Sequence, residues 1–265
     1  MKLCLPWAAL CLPAALFAQP QIGGGQCSSA TLTGNYSLTL TGRQLGQRSG
    51  ASGTVVGFAA VTEGVGTANF DGLSKVTFTW TANGNSSAGV AETWSGAYAL
   101  SANCVGTVSI SSGDTATFTL ASYASGGSFT IDGFDGTYSF NGSGSTLPAS
   151  CSASLLNGTY SFNGNGFVLS SGAIGTVSEI SGLITFDGVS AVTTNWYVSV
   201  AGGTANDTGS GTFTVNSNCT ATAALVDGSG NKYSLGLVIT AAKGTNFLID
   251  GASPASLFLG SGRTL

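Results

Sequence analysis

Histidine is absent from the sequence, and charged residues are scarce. None of the 265 residues is histidine, which excludes Ser-His-Asp and Cys-His nucleophile systems and metal sites built on imidazole. Only 7 residues are Lys or Arg, against 11 Asp or Glu, so the chain lacks the positive charge with which proteins hold nucleic acid or anionic lipid. A phosphate-binding glycine loop is also missing. We therefore expect no nucleic-acid partner, no metal and no cofactor.

Long apolar runs are also absent, apart from one at the N-terminus. Lys2 precedes an apolar run over residues 3–17, and the small residue Ala18 follows it. This order is typical of a secretory signal peptide and predicts one over residues 1–18, with cleavage after Ala18. The run is short and contains prolines, which disfavours a membrane anchor. We expect an exported protein, secreted or periplasmic, that does not insert into a membrane after cleavage.

The chain contains one unit twice. Residues 61–80 align without a gap to residues 177–196, and 10 of the 20 positions are identical. Cysteine, aromatic and glycine positions on either side of this block recur in the same order. Repetition of this kind indicates duplicated structural units. The sequence therefore predicts repeat 1 over residues 27–144, a linker over 145–150 and repeat 2 over 151–265.

Four cysteines remain once the expected signal peptide is removed, namely Cys27, Cys104, Cys151 and Cys219. An even number of cysteines in an exported chain indicates disulfides. Each repeat has one cysteine at its start and another further along. If the duplicated unit is self-sufficient, the pairs are Cys27–Cys104 and Cys151–Cys219. Pairing across the two repeats is the alternative.

The residue pattern predicts β-strands and few helices. Glycine accounts for 41 residues and is unfavourable inside helices. Apolar residues alternate with threonine, as at Ala116, Phe118 and Leu120, and this period of two is typical of half-buried antiparallel strands. Asp-Gly and Asn-Gly pairs between such runs favour hairpin turns. The predicted fold class is all-β, with two tandem antiparallel eight-stranded barrels, each with one disulfide, and β-sandwiches are the alternative.

The strands of repeat 2 can be placed individually from the alternation and the turn signals. They are expected near residues 158–167, 173–178, 181–187, 190–200, 209–217, 219–227, 231–242 and 246–260, with the last broken near Pro254. Because hairpin follows hairpin with no long crossover, the barrel is favoured over the sandwich.

Three short motifs resemble those of a known group of proteins. They are G-x-Y-S-F at residues 158–162, F-D-G at 186–188 and G-T-F-x-V-N-x-x-C at 211–219. In these motifs the chain resembles uncharacterised secreted bacterial β-repeat proteins and, more distantly, the small β-barrels of the allene oxide cyclase and lipocalin type. The resemblance covers both repeats. It implies a barrel fold and carries over no catalytic residue.

Acidic and aromatic residues at matching repeat positions are the candidate site residues. Glu63 and Glu179 can stand at a barrel mouth as acid/base groups or ligand anchors, or can be solvated or turn-bracing carboxylates. Trp80 and Trp196 can form a stacking platform for a sugar or an apolar ligand, or can pack in the core. Trp94 has glycine at its counterpart position and is a further candidate for ligand binding at the surface.

Three functions are compatible with these features. The first is an exported non-catalytic binding or surface module, which presents tandem barrels to a small apolar ligand, a carbohydrate or a cell-surface partner. The second is an isomerase or lyase that works inside an apolar barrel with a lone glutamate and therefore needs an open interior. The third is an outer-membrane barrel built from the strands of both repeats. The missing catalytic groups favour the first function, and the sequence indicates no single ligand.

Overall fold

The computed structural model describes residues 26–45, 48–49, 54–55, 58–85, 87–123, 125–171 and 173–265. The expected signal peptide over residues 1–18 lies outside the described residues. The described ranges contain two short 3₁₀ helices, Ser29–Thr31 and Ala153–Leu155. Within these ranges, no helix has the length and apolar character needed to cross a bilayer.

The strands of repeat 1 form one closed antiparallel barrel. In chain order they are β1 (Thr33–Leu45), β2 (Arg48–Ser49), β3 (Thr54–Val55), β4 (Phe58–Asp71), β5 (Lys75–Gly84), β6 (Ser87–Leu100), β7 (Val105–Ser112), β8 (Ala116–Ser122), β9 (Ser128–Phe134) and β10 (Ser139–Ser145). The very short strands β2 and β3 pair with each other outside the barrel. Strand β1 pairs with both β10 and β4, which closes the ring.

The strands of repeat 2 close into a second antiparallel barrel. They are β11 (Asn157–Ser170), β12 (Ala173–Asp187), β13 (Ala191–Val200), β14 (Gly203–Val215), β15 (Thr220–Asp227), β16 (Lys232–Ile239), β17 (Asn246–Ser253) and β18 (Ser256–Thr264). Strand β11 pairs with both β12 and β18. The all-β fold of two eight-stranded barrels is confirmed. The β-sandwich is wrong, and the strands of the two repeats do not join into one larger barrel.

One expected strand boundary in repeat 2 is wrong, because residues 173–178 and 181–187 belong to the single strand β12. The expected break near Pro254 is confirmed, since it separates β17 from β18. A side chain at Gly182 would overlap the backbone carbonyl oxygen of Asn195 on β13. This glycine inside a strand therefore marks a close backbone approach and not a turn.

The repeated F-D-G motif builds the same turn in both barrels. The Oδ1 atom of Asp71 accepts hydrogen bonds from the backbone N–H groups two, three and four residues ahead, at 2.8, 2.8 and 2.9 Å. Asp187 accepts the same set at 2.8, 2.8 and 2.9 Å. The glycines that follow, Gly72 and Gly188, have φ values of 79° and 77°, which glycine adopts without steric cost. The motif is therefore explained by turn formation.

Each barrel contains its own disulfide, as the repeat predicts. Cys27–Cys104 joins cysteines 77 residues apart, and Cys151–Cys219 joins cysteines 68 residues apart. Pairing across the repeats is therefore wrong. The second cysteine of each pair has a positive φ, 65° at Cys104 and 70° at Cys219, which is uncommon for residues other than glycine. The two repeats thus share an unusual backbone turn as well as the bond.

Aromatic side chains fill the interiors of the barrels. In the first barrel Tyr36, Phe70 and Phe129 are each 1% exposed. Their ring centroids lie 5.5, 5.6 and 5.2 Å apart in edge-to-face pairs, an arrangement that aromatic rings favour. The matching residues of the second barrel, at centroid distances of 5.8, 5.3 and 6.0 Å, are Tyr160, Phe186 and Phe247. These side chains occupy the space that a barrel-interior enzyme would need to keep open.

The two barrels pack against each other through their outer walls. Strands β4, β5 and β6 of the first barrel contact β16, β17 and β18 of the second, and β4 also contacts β12. Val61 and Val65 on the outer face of β4 are only 1% and 3% exposed. On the opposing walls Val238, Ala252 and Leu257 are also buried. Burial of these apolar side chains stabilises the contact between the barrels.

Candidate functional site

Glu63 lies on the outer wall of β4, in the contact between the barrels, and not at a barrel mouth. Its side chain is 3% exposed, and it lies between Val61 and Val65 on the same face of the strand. Glu179, its counterpart on β12, is exposed to solvent. The same repeat position therefore has opposite environments in the two barrels, because the contact between the barrels covers Glu63 and leaves Glu179 exposed.

A second buried acid, Asp250 on β17, lies near Glu63. Asn83 on β5 donates a hydrogen bond from its amide nitrogen to Oδ2 of Asp250. The amide oxygen of Asn83 in turn accepts a 2.7 Å hydrogen bond from the backbone N–H of Gly89. Within the described part of the chain, Oε1 of Glu63 and Oδ1 of Asp250 are buried without a hydrogen-bond partner. The contact therefore encloses two carboxyl groups whose hydrogen bonding is incomplete.

Burial raises the pKa of both acids. Loss of hydration raises the pKa of Glu63 from 4.5 to about 8, although the nearby charge of Arg43 opposes the change. Loss of hydration also raises the pKa of Asp250 well above its usual value, and the charge of Glu63 raises it further. Both carboxyls therefore favour the protonated form at neutral pH. The acid pair joins the two barrels as uncharged groups and becomes costly to bury once it ionises.

The three candidate tryptophans lie inside the barrels. Trp80 and Trp94 are each 3% exposed, and their rings meet edge to face at 5.3 Å. Trp196 is 1% exposed, and its ring lies 5.2 Å from that of Tyr233. Among the described residues, the indole N–H groups of Trp80 and Trp196 have no acceptor. Trp94 is buried and not at the surface, where the sequence analysis placed it, and all three rings contribute to the cores.

Glu92 stands at one end of the first barrel beside the candidates Trp80 and Trp94, and it was not itself predicted as a site residue. It is the cross-strand neighbour of Trp80 and shares the inward face of β6 with Trp94. A hollow of about 230 Å³ is lined there by these side chains together with Asp114 and Asp135. Burial raises the pKa of Glu92, and a hydrogen bond from Trp94 opposes the rise. Its position two residues before Trp94 is the period-two signal that could have identified it.

Three adjoining hollows follow the outer wall of the second barrel along β11. Their volumes are about 460, 460 and 330 Å³. The first and second hollows share Asn163 and Ser261, and the second and third share Asn165 and Leu259. The hollows therefore form one continuous depression, which we name the β11 groove.

Polar side chains line most of the β11 groove. Those on the second barrel are Ser161, Asn163, Asn165, Glu179, Ser181, Ser199, Thr240, Asn246, Ser261 and Arg263. Thr41, Arg43 and Glu63 of the first barrel complete the end nearest the contact between the barrels. The groove thus brings together Glu179 and Glu63, both singled out from sequence, with three asparagines that sequence reasoning missed. Those asparagines are ordinary outward-facing strand residues, so no local pattern marks them.

No protein-family model matches the chain, and no curated protein matches its sequence. Among solved structures, the isotype 1 transferrin binding protein B from serogroup B Neisseria meningitidis is similar over 89% of this chain and 77% of its own. The two chains are 7% identical and superpose with a TM-score of 0.28, a value too low to support any statement about this chain. The barrel fold implied by the sequence motifs is confirmed by the strand topology of the chain itself.

Proposed function

We propose that this chain is an exported, non-catalytic binding protein that presents its outer surface, and above all the β11 groove, to a ligand. The observation that carries the proposal is the location of open space. Packed aromatic rings fill the barrel interiors, whereas two hollows of about 460 Å³ follow the outer wall of the second barrel. Ligand sites are generally concave and combine a few placed polar groups with apolar surface.

Apart from Glu63 and Glu179, the groups in the groove are suited to binding and not to proton transfer. Asparagine, serine and arginine side chains donate or accept hydrogen bonds without changing protonation near neutral pH. The sequence has no histidine, the residue that most often transfers protons in catalysis. Glu63 has a pKa of about 8 but is 3% exposed, and its Oε1 atom is buried in the contact between the barrels. It therefore borders the groove but exposes almost no surface to a ligand there.

Export is supported by the cysteine chemistry and by the N-terminal sequence. Both disulfides are internal to a barrel, and structural disulfides persist in oxidising compartments outside the cytoplasm. Residues 1–18 have the order of features typical of a signal peptide. In this proposal the protein acts in the periplasm or outside the cell.

Binding to the cell surface tests the proposal directly. The chain without residues 1–18 is labelled with a fluorophore and titrated onto intact cells and isolated envelopes of the producing organism. We expect saturable binding that excess unlabelled chain displaces, and no such binding by the reduced and unfolded chain. A signal that rises linearly with protein concentration and resists displacement would contradict the proposal.

A further inference from the structure

We infer that the β11 groove binds a neutral polysaccharide or oligosaccharide, an inference that rests on the proposed binding function and names its ligand class. The groove wall is built from groups that both donate and accept hydrogen bonds. The amides of Asn163 and Asn165 and the hydroxyls of Ser161 and Ser261 do so, as sugar hydroxyls do. Among the described residues, none of these four side chains has a hydrogen-bond partner. They are therefore available to a ligand rich in hydroxyl groups.

The matching wall of the first barrel offers fewer such groups. The hydroxyls of Thr39 and Ser143 hydrogen-bond to each other at 3.1 Å, and those of Ser37 and Ser145 do so at 3.2 Å. The paired positions in the second barrel hold Asn163 opposite Ser261 and Ser161 opposite Arg263. The repeats have thus diverged at this wall. These two cross-strand pairs in the first barrel satisfy each other, whereas their counterparts in the second leave their polar atoms facing solvent.

Charges of both signs alternate along the groove, and this arrangement favours an uncharged ligand. Arg263 lies in the hollow at one end, Arg43 lies in the hollow at the other end, and the exposed Glu179 lies in the hollow between them. A uniformly acidic polymer would meet repulsion at Glu179, and a uniformly basic one would meet it at the arginines. A neutral polyol avoids both conflicts and can still accept hydrogen bonds from the guanidinium groups.

The length of the groove favours an extended chain over a single sugar. Strand β11 runs along it from Ser161 to Phe167, which corresponds to about 20 Å at about 3.3 Å per residue. Near the first barrel the groove becomes more apolar, where Phe167, Val177 and Leu259 line it. Val177 is 62% exposed. Apolar surface beside hydrogen-bonding groups matches the C–H faces and hydroxyl edges of linked sugar rings.

Affinity electrophoresis tests the ligand class and the site together. The chain without residues 1–18 migrates through native gels that contain dextran, galactomannan or mixed-linkage β-glucan, with polygalacturonate as the acidic comparison. We expect at least one neutral polysaccharide to retard the protein. Asn163→Ala combined with Asn165→Ala should raise the dissociation constant about tenfold, because several hydrogen bonds are lost. Thr39→Ala combined with Ser143→Ala, on the matching wall of the first barrel, should leave it unchanged.

Three results would overturn the inference, namely no retardation by any neutral polysaccharide, retardation by polygalacturonate alone, or equal weakening by both double variants. Circular dichroism of both variants checks that they are folded. The proposed function is tested separately by the cell-surface titration. If saturable binding to cells persists while the gels show no retardation, the ligand class is wrong and the binding function stands. If the titration itself fails, the proposed function is contradicted.

Discussion

Asn83 of the first barrel donates a hydrogen bond to Asp250 of the second, across 167 residues of sequence. The residue that takes the place of Asn83 in repeat 2 is Ser199, and the residue that takes the place of Asp250 in repeat 1 is Asp132. Neither counterpart is buried. The barrels therefore meet through two different walls of the same repeat unit, and the hydrogen bond is specific to that pairing.

Replacing Glu63 with glutamine should reduce the pH dependence of stability. The folded chain holds the Glu63 proton up to a pKa of about 8, whereas an unburied glutamate releases it near 4.5. The contribution of this proton to stability is complete below pH 4.5 and is lost as the pH rises through about 8. Glu63→Gln should remove this pH-dependent loss in the free energy of unfolding. The loss is on the order of a few kcal/mol, because each pKa unit corresponds to about 1.4 kcal/mol. Urea unfolding at acid, neutral and alkaline pH measures it.

The exposed counterpart provides the control for this experiment. Glu179→Gln should leave the pH dependence as it is in the wild type, because Glu179 is exposed to solvent. If the two variants behave alike, burial between the barrels is not the cause. Asp250 has its own raised pKa, so part of the dependence should remain in Glu63→Gln. That remainder should become smaller when Asp250→Asn is added.

Removal of the Asn83 side chain should weaken the contact between the barrels. Asn83→Ala deprives Asp250 of its donor and the backbone N–H of Gly89 of its acceptor. We expect a loss of about 1 to 3 kcal/mol in the free energy of unfolding, as for other buried polar groups left unpaired. Ser199→Ala, at the matching position, should change stability by less than about 0.5 kcal/mol. Chemical denaturation of both variants distinguishes them, and equal losses would argue against the assigned role of Asn83.

A methyl group at Gly66 should destabilise the first barrel. A Cβ atom there would overlap the carbonyl oxygen of Thr79 and the Cα of Trp80 on the neighbouring strand. Gly66→Ala should therefore cost about 1 to 3 kcal/mol, the range for overpacking in a tight interior. Gly203→Ala is the control, since no atom lies within 4 Å of a Cβ at that position. Thermal unfolding should show a lower midpoint for the first variant alone.

The two disulfides should contribute similar stability. Cys27→Ser with Cys104→Ser opens a loop between cysteines 77 residues apart, and Cys151→Ser with Cys219→Ser opens one of 68 residues. The chain-entropy model assigns about 4 kcal/mol to loops of this size. Guanidinium unfolding of each double variant against the oxidised wild type measures the loss. A change below about 1 kcal/mol would show that the loop-closure model of stabilisation does not hold for that barrel.

The fold could be predicted because its signals are local or repeated. Alternation along strands such as β8 predicts which residues face the core, and duplication of the cysteine positions predicts the disulfides. The continuity of β12 through residues 178–181 could not be predicted. Gly182 suggests a turn in the sequence, but the structure needs glycine there because the neighbouring strand approaches closely. A glycine required by a close approach and a glycine required by a turn are identical in sequence.

The site residues were harder to predict, because their environment depends on contacts between the repeats. Glu63 and Glu179 occupy the same repeat position, and only the packing of the barrels buries one and exposes the other. One sequence clue to this difference does exist. The next residue on the same strand face, two positions further along, is the apolar Val65 after Glu63 but the polar Ser181 after Glu179. The groove asparagines carry no such clue, since their significance lies in the absence of hydrogen-bond partners among the described residues.

The use of unlike walls means that no internal two-fold axis relates the barrels. A contact of this head-to-tail kind can in principle be repeated without end, as in helical filaments. The counterpart walls differ from the walls in the contact at two outer positions. Ser181 stands where the contact has Val65, and Ser139 stands where it has Leu257. At these positions the counterpart walls lack the apolar side chains that the contact between the barrels buries.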